Sequence, residues 1–278
     1  MCLTVLCRPA WASEECIAQI ICIDTDEWRI AAAVGAGTRT NPLRGANPQT
    51  LLLIGDVAWY SDNFYLDNLE FGYQWQTDDP DIPIDSYFSL DREARLFFSY
   101  DGFDVAPADV MSNEQLVQLP VLDPEQKVTI DDIADRKNGR MIGLRIHVNE
   151  SSEEWQLAVE REVGNVHSGT RLRLSYRYGT RWGDWGVGIT PQLVWTDRKF
   201  NTYYYGVNYR DTADGRLWYH AGSGFRPGVN ITASKPISPH WGFLWFARYQ
   251  YLPRAITRSP LLDGNDIITV FAGLTYQF

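Results

Sequence analysis

Along much of the chain, apolar residues recur at every second position and the residues between them are polar or charged. In RMIGLRIHV, Ile142, Leu144, Ile146 and Val148 form one row, and Gly143, Arg145 and His147 the other. EEWQLAVERE sets Trp155, Leu157 and Val159 against Gln156, Glu160 and Glu162, and TRLRLSYRYG sets Leu172, Leu174, Tyr176 and Tyr178 against Arg171, Arg173, Ser175 and Arg177. DWGVGITPQLVW, HWGFLWFARYQY and the final TVFAGLTYQF continue the pattern, with Phe271 the one aromatic on the polar row of that last segment. YFSLDREARLFFSY reads as a further strand, carrying Phe88, Leu90, Ala94, Leu96 and Phe98 opposite Ser89, Asp91, Glu93, Arg95 and Ser99. Weaker segments fall at about 28–39, 51–60, 64–76 and 225–236. A period of two marks a strand with two unlike faces.

A soluble sandwich and a membrane barrel share this alternation and give it opposite meanings. In the sandwich the apolar row is the core; in the barrel it faces lipid and the polar row lines the lumen. Three features favour the barrel. The segments are near the ~10 residues that a tilted spanning strand needs, and aromatics gather at their ends, as in Trp185 with Trp195 and Trp241 with Tyr251. Short turns such as YSDNF, RWGDW and SPHWG alternate with longer polar connections at 201–224 and 253–266, the asymmetry of outer-membrane barrels. The expected fold is therefore all-β, a transmembrane antiparallel up-and-down β-barrel. Eleven segments are countable and bacterial barrels have even strand numbers. The expectation is twelve strands, the missing one sought in 104–137 around Gln115 to Leu122, with ten as the alternative.

Composition sharpens this reading. Aromatic residues make up 14% of a chain whose 11 Trp and 15 Tyr suit interface girdles. No run approaches the ~18 apolar residues of a spanning helix. A net charge of -10 argues against nucleic acid, whose phosphates need a basic surface. At the start, a short apolar stretch, Pro9 and the small-x-small triplet Ala10-Trp11-Ala12 read as the remnant of a signal peptide. The expected organisation is 1–12 signal remnant, 13–27 periplasmic arm and 28–278 barrel. Cys2 and Cys7 leave with the signal, while Cys16 and Cys22 either pair or remain two thiols.

Candidate chemistry is sparse. His167-Ser168 is the one tempting nucleophile pair, but adjacent residues define no triad and no oxyanion donor is identifiable, so no catalytic residue is assigned. No metal or cofactor site is expected, since the cysteines have no ligand spacing and no acidic run matches a calcium loop. Asp78-Asp79, Asp131-Asp132 and Glu153-Glu154 read as solvated loop charge, and Tyr203 to Tyr205 as an interface girdle or a packed loop. The inner faces carry more information. Glu160 and Glu162 face Arg171, Arg173 and Arg177, with Arg145, Arg95, Asp91 and Glu93 nearby. Such charges either cross-link and fill the interior or line a narrow channel favouring anions.

Several stretches together resemble the MipA/OmpV family of outer-membrane proteins: TYYYGV after GVGITPQLVW, GAGTRTNPL followed by DVAWYSDNFYL, and the ending RSPLLDGNDIITVFAGLTYQF. The resemblance implies the outer membrane, contact with its lipid, and a role for Tyr276 and Phe278 in recognition by the insertion machinery. For the family's namesake it implies a non-enzymatic scaffold that brings a lytic transglycosylase to a penicillin-binding synthase. A small porin for a solute is the alternative.

Overall fold

The computed structural model describes residues 26–97, 104–106, 128–150 and 152–278. The expectations for the signal remnant, for Cys16 and Cys22, and for a strand around 115–122 lie outside the described residues. Among the described residues there are thirteen strands: β1 Trp28–Arg39, β2 Gln49–Tyr60, β3 Phe64–Asp67, β4 Glu70–Trp75, β5 Ile84–Leu90, β6 Asp104–Ala106, β7 Arg140–Glu150, β8 Glu153–Glu162, β9 Thr170–Trp182, β10 Trp185–Thr196, β11 Gly224–Pro236, β12 Trp241–Tyr251 and β13 Asp266–Gln277. Twelve form the wall. Each pairs antiparallel with its neighbours, and β1 pairs with both β2 and β13, which closes the barrel. The three-residue β6 stands apart, pairing parallel with β2 at Leu51 to Ile54. No helix of the described residues is long and apolar enough to cross a membrane.

The faces are inverted relative to a soluble protein. On β8, Leu157 is 54% exposed and Val159 43%, while Ala158 and Glu160 between and beside them are each 1% exposed. The same holds on β7, where Ile142, Leu144, Ile146 and Val148 are all exposed. An apolar outer face with buried carboxylates excludes a sandwich and fits a transmembrane barrel. The 11 residues of β7 rise about 36 Å along the strand, or roughly 28 Å of barrel height at a tilt near 40°, matching an apolar band of about 25 Å. Aromatics ring the end with the short turns: Trp28 stacks on Trp59, Trp155 packs tilted against Tyr176, and Trp241 meets Tyr276 edge-on.

The number twelve agrees with the sequence-based expectation, and among the described residues the additional wall strand comes from 64–76. The segment 64–76 folds back on itself as β3 and β4, joined by a two-residue turn in which Asn68 and Leu69 both have positive φ. Such a turn matches the twist of the strands it joins. Asn68 fastens its tip to β2: its backbone N–H donates to Val57 O at 2.9 Å and its side-chain oxygen accepts from Val57 N at 3.2 Å. The predicted strand through Ser99 also ends early. β5 stops at Leu90, and Glu93–Phe97 turns as a 3-10 helix that buries Ala94 and Leu96. Phe271 does point inward as expected. It meets Phe246 at 5.8 Å, beside Ala33 and Leu51, so it packs in an apolar interior cluster and not against charge.

Short turns at 61–63, 76–83, 151–152, 183–184 and 237–240 lie at one end of the wall. The connections 40–48, 91–139, 163–169, 197–223 and 252–265 lie at the other. By the rule for outer-membrane barrels the first end is periplasmic and the second extracellular.

Candidate functional site

Two features of the interior could carry function. The first is a ladder of charges on the inner wall from β4 to β9. Tyr65 and Tyr87 lie flat against the barrel lining, opposite Gly72 and Gly143 on the neighbouring strands. A Cβ at either glycine would sit 2.1 to 2.3 Å from the tyrosine ring, so only glycine leaves room. The two hydroxyls then reach carboxylates: Tyr65 donates to Asp85 at 2.9 Å and Tyr87 to Glu160 at 2.9 Å. Arg145 packs 4.4 Å over the Tyr87 ring, bonds Asp85 at 2.8 Å through Nε, and pairs with Glu70. His147 bridges Asp85 and Glu154 at 2.9 and 2.6 Å, and Arg177 pairs with Glu154 at 2.9 Å. Higher up, Arg171 pairs with Glu160 and, at 3.4 Å, with Asp91. Arg173 reaches Glu160 at 3.4 Å. Buried charge in this ladder is thus matched by opposite charge on adjacent strands.

The second feature lies at the extracellular end of the barrel. Leu43, Leu96, Ile130, Phe200, Tyr204, Leu252 and Ile256, drawn from four of the long connections and the 3-10 turn, pack into one buried apolar cluster. Its centre is α1, Arg198–Tyr205, whose N-terminus is capped by the Asp197 carboxylate accepting from Phe200 N at 2.8 Å. The buried Asn201 side chain donates to Gly222 O at 2.7 Å and accepts from Thr196 Oγ1 at 2.8 Å. Arg226, 1% exposed at the top of β11, ties the cap to the wall. It pairs with Glu93 at 2.6 Å, donates to Asn201 Oδ1 at 3.0 Å, and lies 5.2 Å over the Tyr205 ring. Tyr205 itself donates to Glu93. Farther out, the buried pair Arg136–Asp211 joins 128–139 to the α1 connection at 3.1 Å.

His167 and Ser168 belong to this cap. His167 Nδ1 accepts from Gly169 N at 3.0 Å, and Nε2 faces the buried Asp91 carboxylate at 3.4 Å. The ring packs edge-on against Phe200 at 5.1 Å. Neither ring nitrogen is turned to Ser168, whose backbone N–H donates to Glu162 at 2.8 Å. Glu162 gathers the N–H groups of Gly164, Val166, His167 and Ser168, a role unlike the expected pairing with arginine. Burial acts to raise the Asp91 carboxyl, but the His167 hydrogen bond and the Arg171 charge outweigh it and hold the group below the usual carboxylate range. Burial and then the Asp91 charge push the Tyr204 hydroxyl well above its ordinary value. The arrangement fixes a loop; it does not activate a nucleophile.

Of the charges expected to meet in the lumen, Glu160 does meet Arg171 and Arg173, while Arg177 turns to Glu154 and Glu93 to Arg226. Tyr203 to Tyr205 form a packed loop helix, with Tyr204 and Tyr205 fully buried, and not a girdle. Sequence reasoning missed Glu70 and Arg226 because their strands were read as weak or mixed, and Asp85 because the predicted segment began two residues later, at Tyr87. Among the described residues no group of three or more His, Cys, Asp or Glu could hold a metal ion.

Comparison with known proteins is consistent with these features. The family described as MltA-interacting protein MipA matches residues 32–278. The MltA-interacting protein of Escherichia coli K12 is 30% identical over 91% of this chain and 91% of its own. A putative outer membrane protein, YiaT, of Escherichia coli O157:H7 is 25% identical, covering 88% of this chain and 90% of its own. The outer membrane protein OmpV of Vibrio cholerae is 22% identical, covering 92% and 89%.

Proposed function

The chain belongs to the MltA-interacting protein family MipA and is an outer-membrane β-barrel, and from that premise we propose that it acts by binding, as a non-enzymatic scaffold of the cell envelope. The barrel's apolar outer face sits in outer-membrane lipid. Its partners are a lytic transglycosylase, as the name of the E. coli relative suggests, and through it a penicillin-binding synthase. The observation that carries this reading is the cap. The long connections bury their apolar side chains against one another, which supports a mouth closed to solute and loops that serve packing. Contact with a periplasmic partner falls to the opposite rim. There Asp62, Asp78, Asp79, Asp81 and Glu150 are all exposed, an acidic surface that suits a basic face on the partner.

A photo-crosslinking residue placed at Asp79, in living cells, should capture a murein hydrolase, and the same residue at Arg210 on the extracellular side should not. Capture from neither position, or from Arg210 alone, would overturn the rim assignment. Planar-bilayer recording tests the closed mouth: the purified protein should show no stable unitary conductance, and a reproducible one would move the function to solute transport.

A further inference from the structure

The outward face of the wall is apolar over most of its height, and at the extracellular edge two adjacent strands break that rule. On β7 the outward row is Ile142, Leu144, Ile146 and Val148, and the next outward position up is Arg140. On β8 the row is Trp155, Leu157 and Val159, and the next position up is Arg161. Both arginines are exposed. The register pairs Ile142 with Arg161, and Val163 N donates to Arg140 O at 2.8 Å. Arg140 and Arg161 are therefore diagonal neighbours on one face, their side chains starting roughly 7 Å apart. Two residues along a strand tilted near 40° rise about 5 Å in height, so both guanidiniums start just above the last apolar residue of their strand.

Arg161 is held at this level by β9: its register partner Thr170 accepts from Arg161 Nη1 at 3.1 Å. Neither arginine is in an ion pair with a described residue. The carboxylate next to them in the chain, Glu162, points inward and is taken up by the N–H groups of its own loop. Farther along the rim, Asp197 N donates to Thr170 O at 3.0 Å, and the exposed Arg198 and Lys199 follow at once. The Asp197 carboxylate is occupied by Phe200 N. Cations thus follow the rim from β7 to the start of α1, whereas the outward positions at the same edge of β10, β11 and β12 are Trp195, Phe225 and Tyr251. Arginine on a lipid-facing strand costs little at the interface, and a fixed cation there attracts anionic headgroups.

We propose that Arg140 and Arg161 form the docking site of one lipid of the extracellular leaflet, a lipid whose headgroup carries a phosphomonoester. A guanidinium presents a planar fork that matches phosphate oxygens two at a time. A phosphomonoester carries nearly two negative charges at neutral pH, enough for two arginines, and a phosphodiester carries one. The surface directly below the pair, Ile142 and Leu144 on β7 with Leu157 and Val159 on β8, is exposed and apolar and receives the acyl chains. That continuity with the lipid-facing band makes the occupant a lipid and not a soluble ion. The site depends on the outer-membrane location of the barrel and is independent of the scaffold role.

Native mass spectrometry on the full chain in detergent tests the site, with diphosphorylated lipid A as the probe in one arm and its dephosphorylated form in the other. The phosphorylated probe should give a saturable one-to-one adduct at a concentration at least fivefold lower than the dephosphorylated one. The double variant Arg140→Gln/Arg161→Gln should weaken binding of the phosphorylated probe about tenfold and erase the preference between the two. Arg210→Gln removes an exposed extracellular cation away from this rim and should change neither. Each variant is checked for the heat-dependent gel shift of a folded barrel. Should the double variant fail to fold, Arg161→Gln alone is read in its place, with a several-fold loss expected. Equal binding of the two probes by the unaltered protein, a folded arginine variant that binds undiminished, or an equal loss in Arg210→Gln would overturn the site.

Discussion

Replacing Arg226 with methionine is expected to open the cap while leaving the barrel wall intact. Arg226 is the wall's anchor for the connection that contains α1. Its guanidinium pairs with Glu93 at 2.6 Å, donates to Asn201, and covers the Phe200 and Tyr205 rings at 5.5 and 5.2 Å. Removing one partner of a buried pair costs about 3–5 kcal/mol, because the remaining charge is left without compensation. Here the abandoned group is Glu93, held then by the Tyr205 hydroxyl. Local opening of the cap should rise by roughly 10² to 3 × 10³-fold, each ~1.4 kcal/mol being a factor of ten. Trypsin reads this directly. Arg198 and Lys199 are exposed but lie in the first turn of α1, so their peptide bonds are cut only when the helix opens. When opening and closing are fast relative to cleavage, the rate of nicking follows the open population. The double variant Arg226→Met/Glu93→Leu removes both charges and should recover most of the protection, since an apolar pair of similar volume replaces a buried ion pair at little cost or with gain. A single variant nicked less than tenfold faster, or a double variant as labile as the single, would refute the assignment of Arg226 as anchor. Loss of the gel shift in unheated Arg226→Met would refute the separation of cap from wall.

Gly143→Val should displace the Tyr87 ring from the barrel lining and break its hydrogen bond to Glu160. A loss of about 1–3 kcal/mol is expected from overpacking, read as a lower midpoint temperature of the gel shift; an unchanged midpoint would contradict the close approach of ring and glycine. Acid should loosen the cap before the wall. The Asp91 carboxyl is held below its ordinary value of 3.8, so its stabilising contribution is complete above that value and is lost as pH falls through the lower folded value. Hydrogen exchange in 163–169 should therefore be protected at pH 7 and accelerate selectively below about pH 4, an effect that Asp91→Asn should abolish. His147→Leu should leave Asp85 and Glu154 without the ring between them and lower the gel-shift midpoint more than Gln156→Leu on the adjoining strand.

The wall was legible in the sequence because its rule is local. Leu157, Ala158, Val159 and Glu160 alternate as neighbours in the chain, and nothing distant is needed to see it. The β3–β4 hairpin escaped that rule for a physical reason: a turn without glycine, with Leu69 at positive φ, leaves no break in a run that otherwise reads as one strand. Asn68, tolerant of that backbone and bonded to β2, was the available signal. The cap was illegible on different grounds. Ala94 and Leu96 keep a strand's period yet lie in a 3-10 turn, because they are buried in one cluster with Leu43, Ile130 and Phe200, residues far from them in the chain. Their partners are tens of residues away, and no periodicity encodes such a meeting.

That contrast bears on what sets members of this fold apart. The wall follows from an alternation that many sequences satisfy, so it constrains the identity of single residues weakly outside the glycine–tyrosine pairs and the ion-pair ladder. The cap depends on particular long-range partners: Arg226 with Glu93, Arg136 with Asp211, His167 with Asp91. A change in one of these opens a mouth, whereas a change among the outward Leu and Ile exchanges one apolar surface for another. Control over access to the lumen is therefore carried by three pairs of charged or polar residues outside the membrane-facing surface. Substitutions that alter what enters the barrel should concentrate there, and those that alter partner binding at the opposite rim should leave cap protection unchanged.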